Sequence, residues 1–408
     1  MLKKLVEKHQ NFILIWILAF MSALAPLATD MYLPSLKIIQ QDMATEEHLM
    51  QLSITVFFVA FACGQLLYGP ISDAYGRRKP LYLGIVLYTV ASLACGLVNS
   101  VYAFIFWRFI QALGGCSGVV IARAIINDKY DVKQGAAILA IMMMISSLAP
   151  MLAPTLGGLI TVYTKWQFIF YLLFIFGLML LAMMLIGLPE TAKVDTSLKF
   201  DAISVMKNYL SITKDRRYMI FVLSFSCTLA SIFAYITAAS SVFQNSYGLS
   251  PQAFGIIFGI NTIGSTVTSI CNAKLVKSHS PYNILQISFV VMFIFASLLI
   301  ASALLNWGLL AFEVFLFLTM SMIGLIAPNT TVLAMARFNC KSGAASGLLG
   351  MIQFAIAGFV SFLVGFLHAS SPTGMAVVMA VCVLCGWCIY LLINRRTIQK
   401  FFRKLHLA

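Results

Sequence analysis

Apolar residues in this 408-residue chain gather into runs of about 20, the length that crosses a bilayer as a helix. Twelve such runs can be marked, at approximately 12–36, 49–70, 80–98, 101–126, 135–160, 166–188, 218–243, 252–276, 282–304, 308–333, 343–367 and 373–393. Short polar stretches separate them, except for 189–217, which is polar, of mixed charge and long enough for a short surface helix. The pattern predicts an all-α membrane protein.

Charge fixes its orientation. Lys3, Lys4 and Lys8 precede span 1, Arg77, Arg78 and Lys79 follow span 2, and Lys129 and Lys133 follow span 4. Six basic residues lie between Lys193 and Arg217, Lys274 and Lys277 end span 8, Arg337 and Lys341 join spans 10 and 11, and Arg395, Arg396, Lys400, Arg403 and Lys404 form the tail. Threading twelve spans puts all of these on one side, against Lys37, Lys165, Asp42, Glu46 and Glu47 on the other. The positive-inside rule then makes both termini cytoplasmic.

Composition changes the picture in two ways. With 61% hydrophobic and 10% charged residues, the chain carries more apolar surface than a soluble core can absorb. The net charge of +14 follows from the loop asymmetry and suits anionic inner-leaflet lipid, not nucleic acid. Ala23-Leu24-Ala25 resembles a signal cleavage site, but the apolar run is too long and Pro26 would follow the cut, so the segment reads as span 1. Of nine cysteines, Cys382, Cys385 and Cys388 have a ligand-like spacing but lie in span 12 without a His or acid beside them, and read as small packing residues. Cys340, in a cytoplasmic loop, is the candidate reactive thiol.

The spans divide six and six. Units 1–188 and 218–408 around a cytoplasmic linker 189–217 match transporters built from parallel repeats, which bind substrate at the repeat interface near the midplane. There is no room for a nucleotide-binding domain and no phosphate-cradling Gly-x-x-x-x-Gly-Lys loop, so energy comes from an ion gradient or not at all.

Asp30 is the only charge between Phe12 and Leu36. A carboxylate in hydrocarbon costs roughly 3 kcal/mol on the gentlest insertion scale, and acids kept there usually carry protons or ions. Arg108 in span 4 is as unusual, and both residues lie about seven residues, or ~10 Å, below the outer boundary, a depth that permits pairing if spans 1 and 4 are neighbours.

Between spans 2 and 3 the string Gly69-Pro70-Ile71-Ser72-Asp73-Ala74-Tyr75-Gly76-Arg77-Arg78-Lys79 places an acid between two glycines before a basic cluster. It predicts a tight turn that a helix end approaches closely, with Asp73 facing the positive N-terminus of a neighbouring helix. This string resembles motif A of the major facilitator superfamily at Gly69, Asp73, Gly76, Arg77 and Arg78; Ala74 stands where the family often has a basic residue. The resemblance implies that Asp73 holds the two halves together on the cytoplasmic side of the outward-open state, against the start of span 11, Ser342 to Gly350.

Two further strings extend the resemblance. Arg108 to Gly115, with Gln111 inside it, is similar to motif B, with Ala112 where glycine is common; there the arginine lies near the proton-carrying acid, which groups Asp30, Arg108 and Gln111. In span 5, Pro150 and Pro154 free two helical carbonyls and predict a bent or pliable helix, while Gly157 and Gly158 offer a flat face to a neighbour. This segment resembles motif C, which marks antiporters in the superfamily, with Ala153 in place of a glycine. Asp30-Met31-Tyr32-Leu33-Pro34, the double Ala-Pro of span 5, Leu188-Pro189-Glu190-Thr191 and Tyr247-Gly248-Leu249-Ser250-Pro251 together resemble the bicyclomycin and chloramphenicol resistance subfamily of drug:proton antiporters.

That resemblance implies a monomer in the bacterial inner membrane, with no cofactor beyond the proton gradient, exporting small lipophilic compounds against proton entry. Export of a native metabolite such as a siderophore or an amino acid derivative is the alternative. A membrane enzyme or receptor is disfavoured, since no embedded nucleophile with a matching base and no large soluble sensor domain is present. Met31, Met143 (within Met142 to Met144), Phe233, Tyr235, Asn261 and Gln353 are the candidate cavity residues. Glu313, about five residues inside the outer end of span 10, reads as an edge acid that reaches water rather than as a second titrating site.

Overall fold

The computed structural model describes residues 2–130, 132–191, 202–336, 342–367 and 371–392. Helices α1 (Leu2–Asp30), α2 (Leu36–Asp42), α3 (Glu47–Tyr75), α4 (Arg78–Leu97), α5 (Val101–Lys129), α6 (Val132–Tyr163) and α7 (Gln167–Gly187) form a first set. A linker helix, α8 (Ala202–Thr213), leads to a second set: α9 (Arg216–Ser241), α10 (Pro251–Leu275), α11 (Pro281–Leu304), α12 (Leu309–Ser321), α13 (Ile323–Met335), α14 (Ser342–Phe366) and α15 (Pro372–Leu391). The basic residues expected at 192–201, 337–341 and beyond 392 lie outside the described residues, as do Cys340 and the side chains of Lys3, Lys4, Lys8 and Lys133.

Eleven stretches among the described residues are long and apolar enough to cross a membrane. The remaining expected span, 135–160, falls in α6, whose described apolar part is the shorter Leu148–Tyr163. The first span is longer than the sequence suggests, 13–42 in place of 12–36, and it is broken. Helix α1 stops at Asp30, a 3₁₀ turn spans Leu33–Ser35, and α2 continues. Pro34 supplies the reason: it has no N–H to give the Asp30 carbonyl, so the ladder cannot pass through.

Serine followed by proline starts three helices of the second set. Ser250, Ser280 and Ser371 each accept a backbone N–H with their hydroxyl, from Ala253, Tyr282 and Gly374, and the prolines after them occupy the first helical turn, where no N–H is needed. Asp215 caps α9 in the same way, accepting from the N–H groups of Arg217 and Tyr218 at 3.0 Å. The span Leu309–Met335 divides at Met322, where Thr268 of α10 donates to the Ser321 carbonyl and Gly324 admits the backbone of α10.

Small residues let helices of the two sets meet along two seams, as expected where lipid supplies no hydrophobic drive between helices. Helix α3 runs along α14, with Gln65 against Gly350, Val59 against Gly358 and Gln51 against Gly365. Helix α6 runs along α10. Side chains such as Leu185, Ile186 and Leu310, 69%, 74% and 80% exposed, face outward, as a lipid-facing surface requires.

One local expectation is corrected. Gly69 is not part of a tight turn: α3 continues through Gly69 and Pro70 to Tyr75, and a Cβ at Gly69 would meet nothing within 4 Å. The turn is made by Gly76 alone, at φ +86°, a conformation glycine adopts without steric cost.

Candidate functional site

Chain direction puts Arg77, Arg78, Lys79, Lys129, Lys207, Lys214 and Lys274 at one end of the helix bundle, called here the basic end. Asp30 sits toward the opposite end, buried at 4% exposure, with its Oδ1 lacking any hydrogen-bond partner. Its place at the break matters. The segment after it packs against α6 on one side and against α9 and α10 of the second set on the other. Gln244 donates to the Pro34 carbonyl at 3.0 Å, and the Met31 carbonyl lies where a Cβ on Gly157 would come within 1.7 Å of it.

Arg108 does not form an ion pair with Asp30 in this structure. Ending α1 at Asp30 leaves its last carbonyls without helical partners, and Arg108 Nη1 donates to one of them, Ala28 O, at 2.9 Å. The same nitrogen donates to Gln111 Oε1 at 2.6 Å, and Gln111 in turn donates to Ser92 Oγ at 2.8 Å. Tyr32 and Phe57 present their rings to the guanidinium, 4.3 and 4.5 Å from its carbon to the centroids, an attraction that strengthens when the cation is desolvated. Arg108 is therefore a cationic cap on the helix that carries Asp30. Tyr32, Phe57 and Ser92 escape sequence reasoning because their contacts join distant segments; Pro34 was the legible clue to the break.

The candidate cavity residues do not all meet. Tyr235 and Asn261 do: the Asn261 amide donates to the Tyr235 hydroxyl at 3.3 Å, and Tyr235 stacks on Phe258 at 5.1 Å. Phe233 instead joins an aromatic cluster between the sets, 4.5 Å from Phe58 and 5.7 Å from Phe354, which itself lies 4.5 Å from Phe61. Gln353 precedes Phe354 on α14 and is half-buried. Met31 is buried at the seam with α6, and the side chain of Met143 lies outside the described residues. A small cleft opens at the end away from the basic one, lined by Lys37, Glu47, Gln51, Thr237, Ser240 and Ser241, and includes none of the six.

Glu313 overturns the sequence reading. Both its carboxylate oxygens are shut off from solvent and unpartnered, because α10, α11 and the aromatic segment after α9 cover the edge position that the sequence left open.

At the end away from the basic one, polar contacts join the sets. Glu47 accepts from Ser241 at 2.6 Å and from Gln51 at 3.0 Å, and Ser361 links the hydroxyls of Thr55 and Thr237 at 2.9 and 2.8 Å. Pro154 O and Met151 O face Gly255 and Gly259 at distances only glycine tolerates, 2.6 and 2.9 Å to a built Cβ, and Thr155 donates to the Gly255 carbonyl at 3.2 Å. Gly158 lies against Pro251 O in the same manner, and α6 continues as one helix through Pro150 and Pro154.

At the basic end, Asp73 accepts from Arg77 rather than from the start of α14. Arg77 also donates through Nε to Asp128 at 2.8 Å and through Nη1 to Ser72 at 2.8 Å. Burial opposes the Arg77 charge, but the two carboxylates outweigh it and hold its proton more tightly than water would. Glu190 accepts the backbone N–H groups of Arg77 and Arg78 at 2.8 and 3.1 Å, filling the space where a side chain on Gly76 would sit. The cluster thus ties together the ends of α3, α4, α5 and α7. Asp128 and Glu190 are contributors the motif string could not name, since they come from other helix ends. Across the sets at this end, Arg123 donates to Ser346 Oγ at 3.4 Å.

Comparison with known proteins agrees with this architecture. The family model described as Major Facilitator Superfamily matches residues 18–362. The uncharacterized MFS-type transporter YdgK of Bacillus subtilis (strain 168) is 32% identical over 379 residues, 92% of this chain and 94% of the relative. A bicyclomycin resistance protein homolog of Haemophilus influenzae (strain ATCC 51907 / DSM 11121 / KW20 / Rd) is 28% identical over 394 residues, 97% and 99% of the two chains. Among solved structures, a D-xylose-proton symporter superposes with a TM-score of 0.73 at 14% identity, covering 92% of this chain and 97% of its own, a likeness of fold. This multi-pass membrane protein belongs to the major facilitator superfamily.

Proposed function

We propose that the protein is a proton-coupled exporter of small lipophilic compounds of the bicyclomycin or chloramphenicol kind, working in the bacterial inner membrane with its basic end in the cytoplasm. The observation that carries this reading is Asp30: a buried acid with a free oxygen, placed at a helix break that touches both helix sets. Neutral Asp30 costs little in this packed setting. Ionised Asp30 needs donors or water, and the way to provide them is to loosen the break from α10 and α9, which opens the outer end. Protonation and closure of the outer end therefore favour each other.

In this cycle the two helix sets rock about the α3–α14 and α6–α10 seams. Arg108 holds the end of α1 in register and offers its unpartnered Nε and Nη2 to a nearby negative charge. One proton entering across 100 mV supplies about 2.3 kcal/mol before any pH gradient, enough for a concentration ratio of roughly 50-fold at 1.4 kcal/mol per decade. The resemblance to resistance proteins, and the relative named for bicyclomycin resistance, support small drug-like substrates.

The test is export from everted membrane vesicles carrying a panel of amphenicols, bicyclomycin, siderophores and amino acid derivatives. Energised accumulation of the drug-like members, abolished by a protonophore, is expected. Accumulation of the metabolites alone would replace the substrate assignment, and accumulation insensitive to the protonophore would refute proton coupling.

A further inference from the structure

Glu313 and its surroundings are not used by the cycle just described. The residue lies on α12, the fifth position of that helix, with both carboxylate oxygens enclosed and unpartnered. Its polar neighbour is the side chain of Asn261 on α10, 1% exposed, which approaches the carboxyl closely without a well-aligned hydrogen bond. The Asn261 Nδ2 donates one of its two N–H groups to the Tyr235 hydroxyl, and its Oδ1 has no donor. The rest of the wall is aromatic: Phe258 stacks on Tyr235, and Phe312, next to Glu313, packs on Phe243 and Tyr247 at 6.2 and 5.6 Å.

The charged and titratable groups facing this site are few. From α9 there is Tyr235, which lies within electrostatic reach of both Glu313 and Asp30; from the segment after α9 there is Tyr247. Helices α10, α11 and α13 bring no Asp or Glu, and α11 no Lys or Arg either; the Lys274 of α10 and Tyr282 of α11 sit at the basic end, far along their helices. No cation compensates Glu313 among the described residues.

An ionised carboxylate here would have no counter-ion and at most the Asn261 amide and the Tyr235 hydroxyl to turn to, a costly state inside a membrane. A carboxylic acid fits: it is neutral, and its O–H provides the donor that the Asn261 Oδ1 lacks. We propose that Glu313, with Asn261 and Tyr235, forms a second proton-carrying site in the second helix set, which binds a proton when the outer end is closed and releases it when the set moves. The proposal rests on the proton-coupled reading above. It adds a proton per cycle from an acid of the second helix set to the one carried by Asp30 of the first.

The experiment combines two readouts on the full-length protein. Infrared difference spectra between acidic and alkaline buffer, recorded in an Asp30→Asn background, should contain a protonated-carboxyl stretch that disappears in Asp30→Asn/Glu313→Gln. Asn261→Leu in the same background should shift this band by removing the acceptor of the acid O–H. In proteoliposomes, Glu313→Gln should move one proton fewer per substrate than wild type while retaining substrate exchange. A band unchanged by Glu313→Gln, or an unchanged proton-to-substrate ratio in a variant that still exchanges substrate, overturns the proposal. Proton-coupled export fails on a different result, the absence of proton movement in the wild type, which leaves the infrared band to judge Glu313 alone.

Discussion

Arg108 is the residue at which the sequence reading and the structure part most instructively. Its depth was legible, because helical rise converts sequence position into height, and so was its place beside the end of α1. Its partner was not, because the Ala28 carbonyl becomes available only once α1 ends at Asp30, and that depends on Pro34 acting from four residues ahead. Arg108→Leu should remove the donor from two buried acceptors, Ala28 O and Gln111 Oε1, at a cost of about 1–3 kcal/mol for each group left unpaired. Arg108→Lys should recover part of this loss, since one ammonium cannot reproduce a planar group clasped between the Tyr32 and Phe57 rings. Thermal unfolding in detergent orders the three proteins; equal midpoints would mean the arginine does not cap the helix.

Elements meet through backbone contacts that sequence alone could only suggest. The paired glycines of α6 announced a close approach, but not that Gly157 would face the broken segment after Asp30 while Gly158 faced α10. Gly157→Ala forces a Cβ against the Met31 carbonyl, a backbone atom with little room to retreat, and overpacking of this kind costs typically about 1–3 kcal/mol. The closed outer end should lose that amount relative to the open one, a shift of about 5- to 150-fold. A cysteine at Thr155, on the α6–α10 seam, should then react faster with a membrane-impermeant thiol reagent in Gly157→Ala than in its parent. Gly69→Ala is the contrast: its Cβ enters open space, so stability and labelling should stay at the parent level. Gly76→Ala should not be silent, because both its φ of +86° and the Glu190 carboxylate oppose a side chain there. A silent Gly157→Ala would show that the outer seam is looser than its carbonyl contacts imply.

Across the whole molecule, the all-helical class and its long apolar elements were readable because hydrocarbon leaves a chain few alternatives. What could not be read was which helix ends meet. The cluster at Arg77 joins four helix ends of the first set, and Asp73, 68% exposed, contributes its more solvated half. We propose that in the alternate state Asp73 turns to the second set, where a helix-dipole contact is worth about 0.3 to 2 kcal/mol. Asp73→Asn should then slow turnover by a few-fold to about thirty-fold, with substrate affinity in a fixed conformation unchanged. Turnover at the wild-type rate would confine Asp73 to its bond with Arg77.

The most direct test of the account follows protons and substrate together. Purified wild-type protein and Asp30→Asn are reconstituted into liposomes containing a pH-sensitive dye, and a substrate identified in the vesicle panel is added under an inward proton gradient. The account predicts substrate-dependent proton movement in the wild type and fewer protons per substrate in Asp30→Asn, where only the Glu313 share remains, with the variant still folded and inserted. Substrate-linked proton movement of wild-type size in Asp30→Asn would contradict it.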